Sequence, residues 1–177
     1  MANEPPQTKP RIILDENGKP CRTCNTLEDF QSATGRLFNN IKSATSLAIA
    51  GVALEKIPGS KTYYKEDPPD IRKLGASSWT FLHTMSAKYP QQPTPREKDD
   101  MKSFLNIFSR VYPCDWCAKD FEKYIRENAP KVESREELSR WMCEAHNSVN
   151  RKLNKEEFDC NFWQQRWKDG WDDPETK

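Results

Sequence analysis

The chain lacks a long apolar run. Its longest, Leu47 to Leu54, has eight residues, whereas a membrane-spanning helix needs about 20. Glycine is scarce, with six in 177 residues. Neither GxGxxG nor GxxxxGK[ST] occurs, so neither a Rossmann dinucleotide fingerprint nor a P-loop is visible. Charge of one sign is missing as well. The 28 basic and 27 acidic residues leave a net charge of +1, so no global field asks for nucleic acid or for cations. The opening residues, Met1 to Gln7, hold neither the apolar core of a secretory signal nor the Arg- and Ser-rich character of a transit peptide. No cleavable presequence is expected. Apolar residues are sparse overall, at 35% with a mean hydropathy of −0.97. Six Trp and eight Phe must therefore do much of the packing.

What the chain does have is six cysteines: Cys21, Cys24, Cys114, Cys117, Cys143 and Cys160. They form two CxxC pairs and one wider pair. An even count argues for disulfides, while the missing secretory signal argues against an ordinary secreted scaffold. Residues 1–65 are rich in Pro, Lys, Asn and Ser, with turn signals at Asn17-Gly18 and Pro58-Gly59. They read as a mostly flexible arm carrying Cys21 and Cys24, with a possible short helix from Ala44 to Lys56. Residues 66–177 read as the folded domain.

Within that domain the periodicity is helical and no alternating strand stands out. Trp79, Leu82 and His83 share a face. Thr94-Pro95-Arg96-Glu97 reads as a capping box with Pro at the first helical position. Met101, Phe104, Leu105 and Phe108 follow at helical spacing. Pro113 turns Tyr112 away from helical geometry, so a new helix should begin near Cys114 and carry Cys117, Phe121 and Tyr124. Ser134-Arg135-Glu136-Glu137 reads as a second capping box, followed by the apolar stripe Leu138, Trp141, Met142, Ala145 and Val149. A short fifth segment spans Trp163 to Trp167, with Gly170 as its stop. The fold class is all-α, a four-helix bundle with a short fifth helix.

The chemistry concentrates in two places. Cys114 and Cys117 sit where one helix stops and another starts, so the first thiol gains thiolate character from exposed backbone N–H groups. Opposite the apolar stripe of the Ser134 helix, Cys143, His146, Asn147 and Asn150 fall at i, i+3, i+4 and i+7. A helix with two organised faces meets protein on one and something polar and flat on the other; the plainer reading leaves these side chains in solvent. Two assignments of the sulfurs compete. Cys114, Cys117, Cys143 and His146 make a fair Cys3His zinc set. Disulfides instead use all six cysteines, and a Cys143–Cys160 bond closing a 16-residue loop contributes about 3 kcal/mol in the loop-entropy model.

The order and spacing of these residues resemble the Erv/ALR family of FAD-dependent sulfhydryl oxidases, of the mitochondrial type. The resemblance runs from Lys65 to Trp171. It is carried by Leu74-Gly75-x3-Trp79-x2-Leu82-His83, Tyr112-Pro113-Cys114-x2-Cys117, Cys143-x2-His146-Asn147-x-Val149-Asn150-x-Lys152-Leu153-x-Lys155-x2-Phe158-Asp159-Cys160 and Arg166-Trp167-x2-Gly170-Trp171. It implies a helical bundle cradling FAD. Around the cofactor it places Lys73, Leu74, Gly75, Trp79, His83, Tyr112, Cys117, Cys143, His146, Asn147, Val149, Asn150, Lys152, Leu153, Lys155, Phe158, Arg166 and Trp167. It makes Cys114 and Cys117 the catalytic pair, Cys21 and Cys24 a shuttle, Cys143–Cys160 a structural disulfide, and no residue a metal ligand. The implied partners are protein dithiols, such as an import oxidoreductase or small cysteine-motif proteins, with oxygen or cytochrome c as acceptor. The implied assembly is a non-covalent homodimer, and the implied compartment is the mitochondrial intermembrane space. Many animal members carry Arg after the glycine, where this chain has Ala76, so one polar contact is missing.

Overall fold

Helix boundaries in this chain follow from local capping chemistry. A computed structural model describes residues 12–14, 18–21, 24–34 and 55–171, and contacts divide the chain into two units, Met1–Arg72 and Lys73–Lys177. In the first, Thr26 caps helix α1 (Leu27–Thr34). Its Oγ1 accepts from the Asp29 N–H at 3.2 Å and donates to Asp29 Oδ2 at 2.8 Å. The Leu47–Leu54 run lies outside the described residues, as does most of the possible Ala44–Lys56 helix. Its last two residues, Glu55 and Lys56, are described and are not helical; Lys56 pairs with Tyr64 in an isolated antiparallel bridge.

Four long helices follow: α2 (Ile71–Lys88), α3 (Pro95–Val111), α4 (Asp115–Glu127) and α5 (Arg135–Lys152). Thr94 closes the full capping box at the start of α3, with Pro95 in its first turn. Tyr112 ends α3 in extended geometry (φ −62°, ψ 128°), as the following proline requires. Ser134 caps α5 through its Oγ, which accepts from the Glu137 N–H at 3.2 Å. A 3-10 turn at Cys160–Phe162 and a π-helical segment at Gln165–Asp169 complete the described elements, the latter stopped by Gly170 at φ +83°. No strand occurs among the described residues.

The apolar faces converge on one core. Leu82 and Tyr89, Leu105, Ile125, Val132, and Leu138, Trp141, Met142 and Ala145 are all buried there, with Met101, Phe104, Phe108, Phe121 and Tyr124 packed around them. Two buried ring side chains of the core are paired with backbone. Tyr89 Oη donates to Val132 O at 3.1 Å, and Trp141 Nε1 donates to Asn128 O at 3.0 Å. Arg135 Nε donates to Tyr89 O at 2.6 Å. These bonds tie the α2–α3 and α4–α5 loops to the core, which fixes α2 beside α5.

Leu105 is 0% exposed, so truncation leaves a cavity that its neighbours cannot fill. Leu105→Ala is expected to lower unfolding free energy by about 2–5 kcal/mol, measured by urea denaturation. A loss below about 1 kcal/mol would place Leu105 outside a shared, close-packed core.

Candidate active site

Cys114 is the N-cap of α4. It is disulfide-bonded to Cys117, with Cα atoms 5.3 Å apart, and its Sγ accepts from the Cys117 N–H at 3.4 Å. Opening this bond leaves sulfur at the positive end of a helix, where a thiolate is stabilised. Cys114 is completely buried and Cys117 half-buried. One turn beyond Cys117 on the same face, Phe121 meets the edge of Trp79 with centroids 6.1 Å apart.

Trp79 belongs to a set of four flat rings drawn from three elements. It stacks on His146 of α5 at 4.1 Å with planes 4° apart. His83, one turn along α2, stacks on Trp167 at 4.4 Å and 3°. A hydrogen bond of 2.9 Å between His83 Nε2 and His146 Nδ1 joins the two stacks. The Arg166 guanidinium lies 4.1 Å over the Trp167 ring. Burial drives the His83 pKa from 6.5 to about 3, assisted by the neighbouring His146 and Arg166. Burial also takes His146 to about 4, with Lys155 adding to the effect. Both imidazoles are therefore neutral at pH 7, which lets one donate to the other.

A second cluster lies on the same side of α5. Asn147 is 4% exposed. Its Nδ2 donates to Phe158 O at 2.8 Å and to Cys160 Sγ at 3.5 Å. Its Oδ1 accepts from Phe158 N–H at 2.9 Å and from Asn150 Nδ2 at 3.3 Å. The amide is thus fully engaged within the protein, and it holds the returning segment against the helix. Beside it Cys143 is bonded to Cys160. Past α5, Asn154 adopts φ +51°, a left-handed geometry that Asn tolerates better than most residues, and Lys155 follows it.

The other expected site residues are spread along the same elements. Burial raises the Tyr112 pKa, with Ser78 of α2 opposing the shift. Lys152 forms an ion pair with Asp120 of α4. Lys73, Leu74 and Gly75 occupy the first part of α2, while Val149 and Leu153 lie at the end of α5. Cys21 and Cys24, bonded to each other, belong to the other unit. The sulfurs of the Cys3His alternative fall in two separate disulfides, and no cluster of three metal-ligating side chains occurs among the described residues. Three residues escaped the sequence reading. Asp120 is the partner of Lys152. Ser139 Oγ and Gln165 Oε1 are buried without a hydrogen-bond partner among the described residues. Ser139 sits four residues before Cys143, on the polar stripe itself, so helical spacing alone could have found it.

The sequence profile of the Erv1 / Alr family matches residues 76–168. The chain belongs to the Erv1/Alr family. It is 62% identical to the mitochondrial FAD-linked sulfhydryl oxidase ERV1 of Saccharomyces cerevisiae, over 98% of this chain and 97% of that protein. It is 42% identical to the mitochondrial FAD-linked sulfhydryl oxidase erv1 of Schizosaccharomyces pombe, over 88% of this chain and 90% of that one. The crystal structure of the yeast Erv1 core superposes with a TM-score of 0.66 at 71% identity, covering 67% of this chain and all of that one. The FAD binding domain of Erv1 from Saccharomyces cerevisiae gives a TM-score of 0.58 at 71% identity, covering 59% of this chain and all of that one.

The two histidines of this Erv1/Alr chain set an acid limit on its stability. Their folded pKa values are depressed, so the folded state resists protons that the unfolded chain binds below about pH 6.5. Stability is fully present above that pH and falls as pH drops through about 4 for His146 and about 3 for His83. Denaturation midpoints at pH 7 and pH 5 should show this fall, and His146→Asn should reduce it. An equal fall in a His83→Asn/His146→Asn double variant would exclude the pair as its cause.

Proposed function

We propose that this chain is a FAD-dependent sulfhydryl oxidase that forms disulfides in protein dithiols. The observation that carries the reading is the Cys114–Cys117 disulfide at the start of α4, one turn from the ring that abuts Trp79. The residues fit a flavin nucleotide on three counts. Flat rings come together from α2, α5 and the C-terminal segment. Two buried polar atoms, Ser139 Oγ and Gln165 Oε1, have no protein partner among the described residues. Gly75 leaves open space one turn before Trp79, since a Cβ there meets nothing within 4 Å among the described residues; a helical glycine costs about 1 kcal/mol against alanine, and no packing contact among those residues demands it.

In this reading Trp79, His83, His146 and Trp167 hold the cofactor's ring systems. Arg166, Lys152 and Lys155 serve its phosphates, alongside Lys73, Leu74, Gly75, Tyr112, Val149, Asn150, Leu153 and Phe158. Asn147 acts by fixing Phe158 and Cys160. Bound there, FAD would supply a two-electron acceptor, with oxygen or cytochrome c as the onward oxidant. A substrate dithiol reduces Cys21–Cys24, and the resulting thiolate attacks Cys114. Because Cys114 is fully buried, that attack requires local opening around the α4 N-cap. Cys117 is released as the thiolate, one turn from Phe121. Neutral His83 and His146 keep positive charge away from the ring stacks.

The partners in this reading are protein dithiols, and the compartment is the mitochondrial intermembrane space. A homodimer forms without disulfides, since all six cysteines are paired within the chain. Phe81, Ile107 and Val111 support it. They are 53%, 50% and 69% exposed on α2 and α3, where solvent gives such side chains no favourable environment.

The purified protein should be yellow, and dithiothreitol should bleach the flavin band. Cys117→Ser should slow that bleaching at least about a hundredfold, by analogy with loss of a covalent nucleophile; normal bleaching in the variant would sink the assignment. Replacing Cys21 and Cys24 with Ser should impair turnover of protein dithiols far more than turnover of dithiothreitol, compared by oxygen uptake. Phe81→Glu with Ile107→Glu should yield monomer in sedimentation velocity, and an unchanged mass would move the interface elsewhere.

A further inference from the structure

The residue after the arm's disulfide has a side chain whose oxygen and nitrogen are both hydrogen-bonded to backbone. Asn25 is 0% exposed. Its Oδ1 accepts from the Ile13 N–H at 2.8 Å. Its Nδ2 donates to Ile13 O at 2.7 Å and to Cys21 O at 2.6 Å. The Cys21 N–H donates to the same Ile13 O at 2.9 Å, and Asn25's own carbonyl accepts from the Ile71 N–H at 3.2 Å. Gly18 takes φ +70°, and Leu14 lies opposite Pro20 in an isolated bridge. The Cys21–Cys24 loop is therefore pinned at its first residue and held by the residue that follows its last. Within it the two cysteines differ: Cys24 is 3% exposed, while Cys21 is half-buried.

We propose that Asn25 is the positioning residue of this disulfide, holding the loop so that Cys21 meets the incoming thiolate while Cys24 stays shielded as the leaving sulfur. The proposal rests on the shuttle reading of the pair. In the step it describes, a donor thiolate attacks Cys21 Sγ. A donor–Cys21 bond forms, the Cys21–Cys24 bond breaks, and Cys24 leaves with the electron pair and takes up a proton. The donor's second thiolate then attacks its own sulfur in the mixed disulfide. The donor becomes a disulfide, and Cys21 is released and takes up a proton. Two electrons and two protons have passed from the donor to the pair. The choice of side chain follows from the bonds. Asparagine supplies both the acceptor for Ile13 N–H and the donors for two carbonyls. Aspartate at this place would keep the first and press a carboxylate against the two carbonyl oxygens.

Two measurements on the full chain test this. In Cys24→Ser and Cys21→Ser, the single remaining arm thiol is titrated with an aromatic disulfide reagent. Cys21 should react at least about tenfold faster than Cys24, the scale set by one buried hydrogen bond. Adding Asn25→Ala should bring the two rates together, and Asn25→Asp should do so in part. In the oxidised chain, hydrogen exchange of the Cys21 amide reads the same pin without cutting the disulfide. It should accelerate at least about tenfold in Asn25→Ala. Equal rates in the two single variants, or a ratio that survives both Asn25 variants, overturns the proposal. Protein-dithiol turnover in a Cys21→Ser/Cys24→Ser chain reads the shuttle role separately. If that turnover is normal while the Asn25 effects hold, the shuttle reading falls and the positioning stands.

Discussion

Helix α5 is buried along two opposite faces, and each face has to be satisfied differently. On one, Leu138, Trp141, Met142 and Ala145 enter the common core. On the other, Ser139, Cys143 and Asn147 are as deeply buried but polar or sulfur-bearing, so each polar group needs a partner. Asn147 finds four hydrogen bonds, and through them it dictates where the chain returns after the helix. That return places the Trp167 ring against His83. The same helix presents His146 to Trp79. The ring assembly is thus a consequence of how the polar face of one helix is completed.

Much of this was legible in the residues. The Thr94 box, the break at Tyr112-Pro113 and the Ser134 cap each depend on a local preference that operates within a few residues, and each boundary lies where local chemistry puts it. The two faces of α5 followed from helical period. Less legible was the use made of the polar face. Asn147 reads as a ligand-facing amide by position, yet its bonds go to Phe158, 11 residues away, and spacing on one helix says nothing about which loop will come back to it. Ser139 was hidden for a different reason, because serine is unremarkable on most helices. Asn25 was hidden because the composition of residues 1–65 carries no periodic signal, and its partner Ile13 lies 12 residues upstream.

The sulfurs of the central pair divide by position. Cys114 caps the helix and is sealed, while Cys117 sits one turn in and is partly open. A helix N-terminus favours negative charge on either sulfur. Their burial differs, so the two sulfurs are inequivalent in what can reach them. The neutral histidines complement this. A cationic imidazole beside the rings would change the local potential, and desolvation prevents it.

Asn25 and Asn147 make the same two-point grip on a single backbone residue, accepting its N–H and donating to its carbonyl: Ile13 in one case, Phe158 in the other. Each grip stands beside a different disulfide. Backbone bonds of this kind do not involve electrons on sulfur, so cutting the neighbouring pair does not itself remove them. Each loop therefore has a hold besides its sulfur bond. For the wide pair this makes the sulfur bond a reinforcement of a shape already held. For the arm, in the shuttle reading, it gives the pair a frame that its own reduction does not cut.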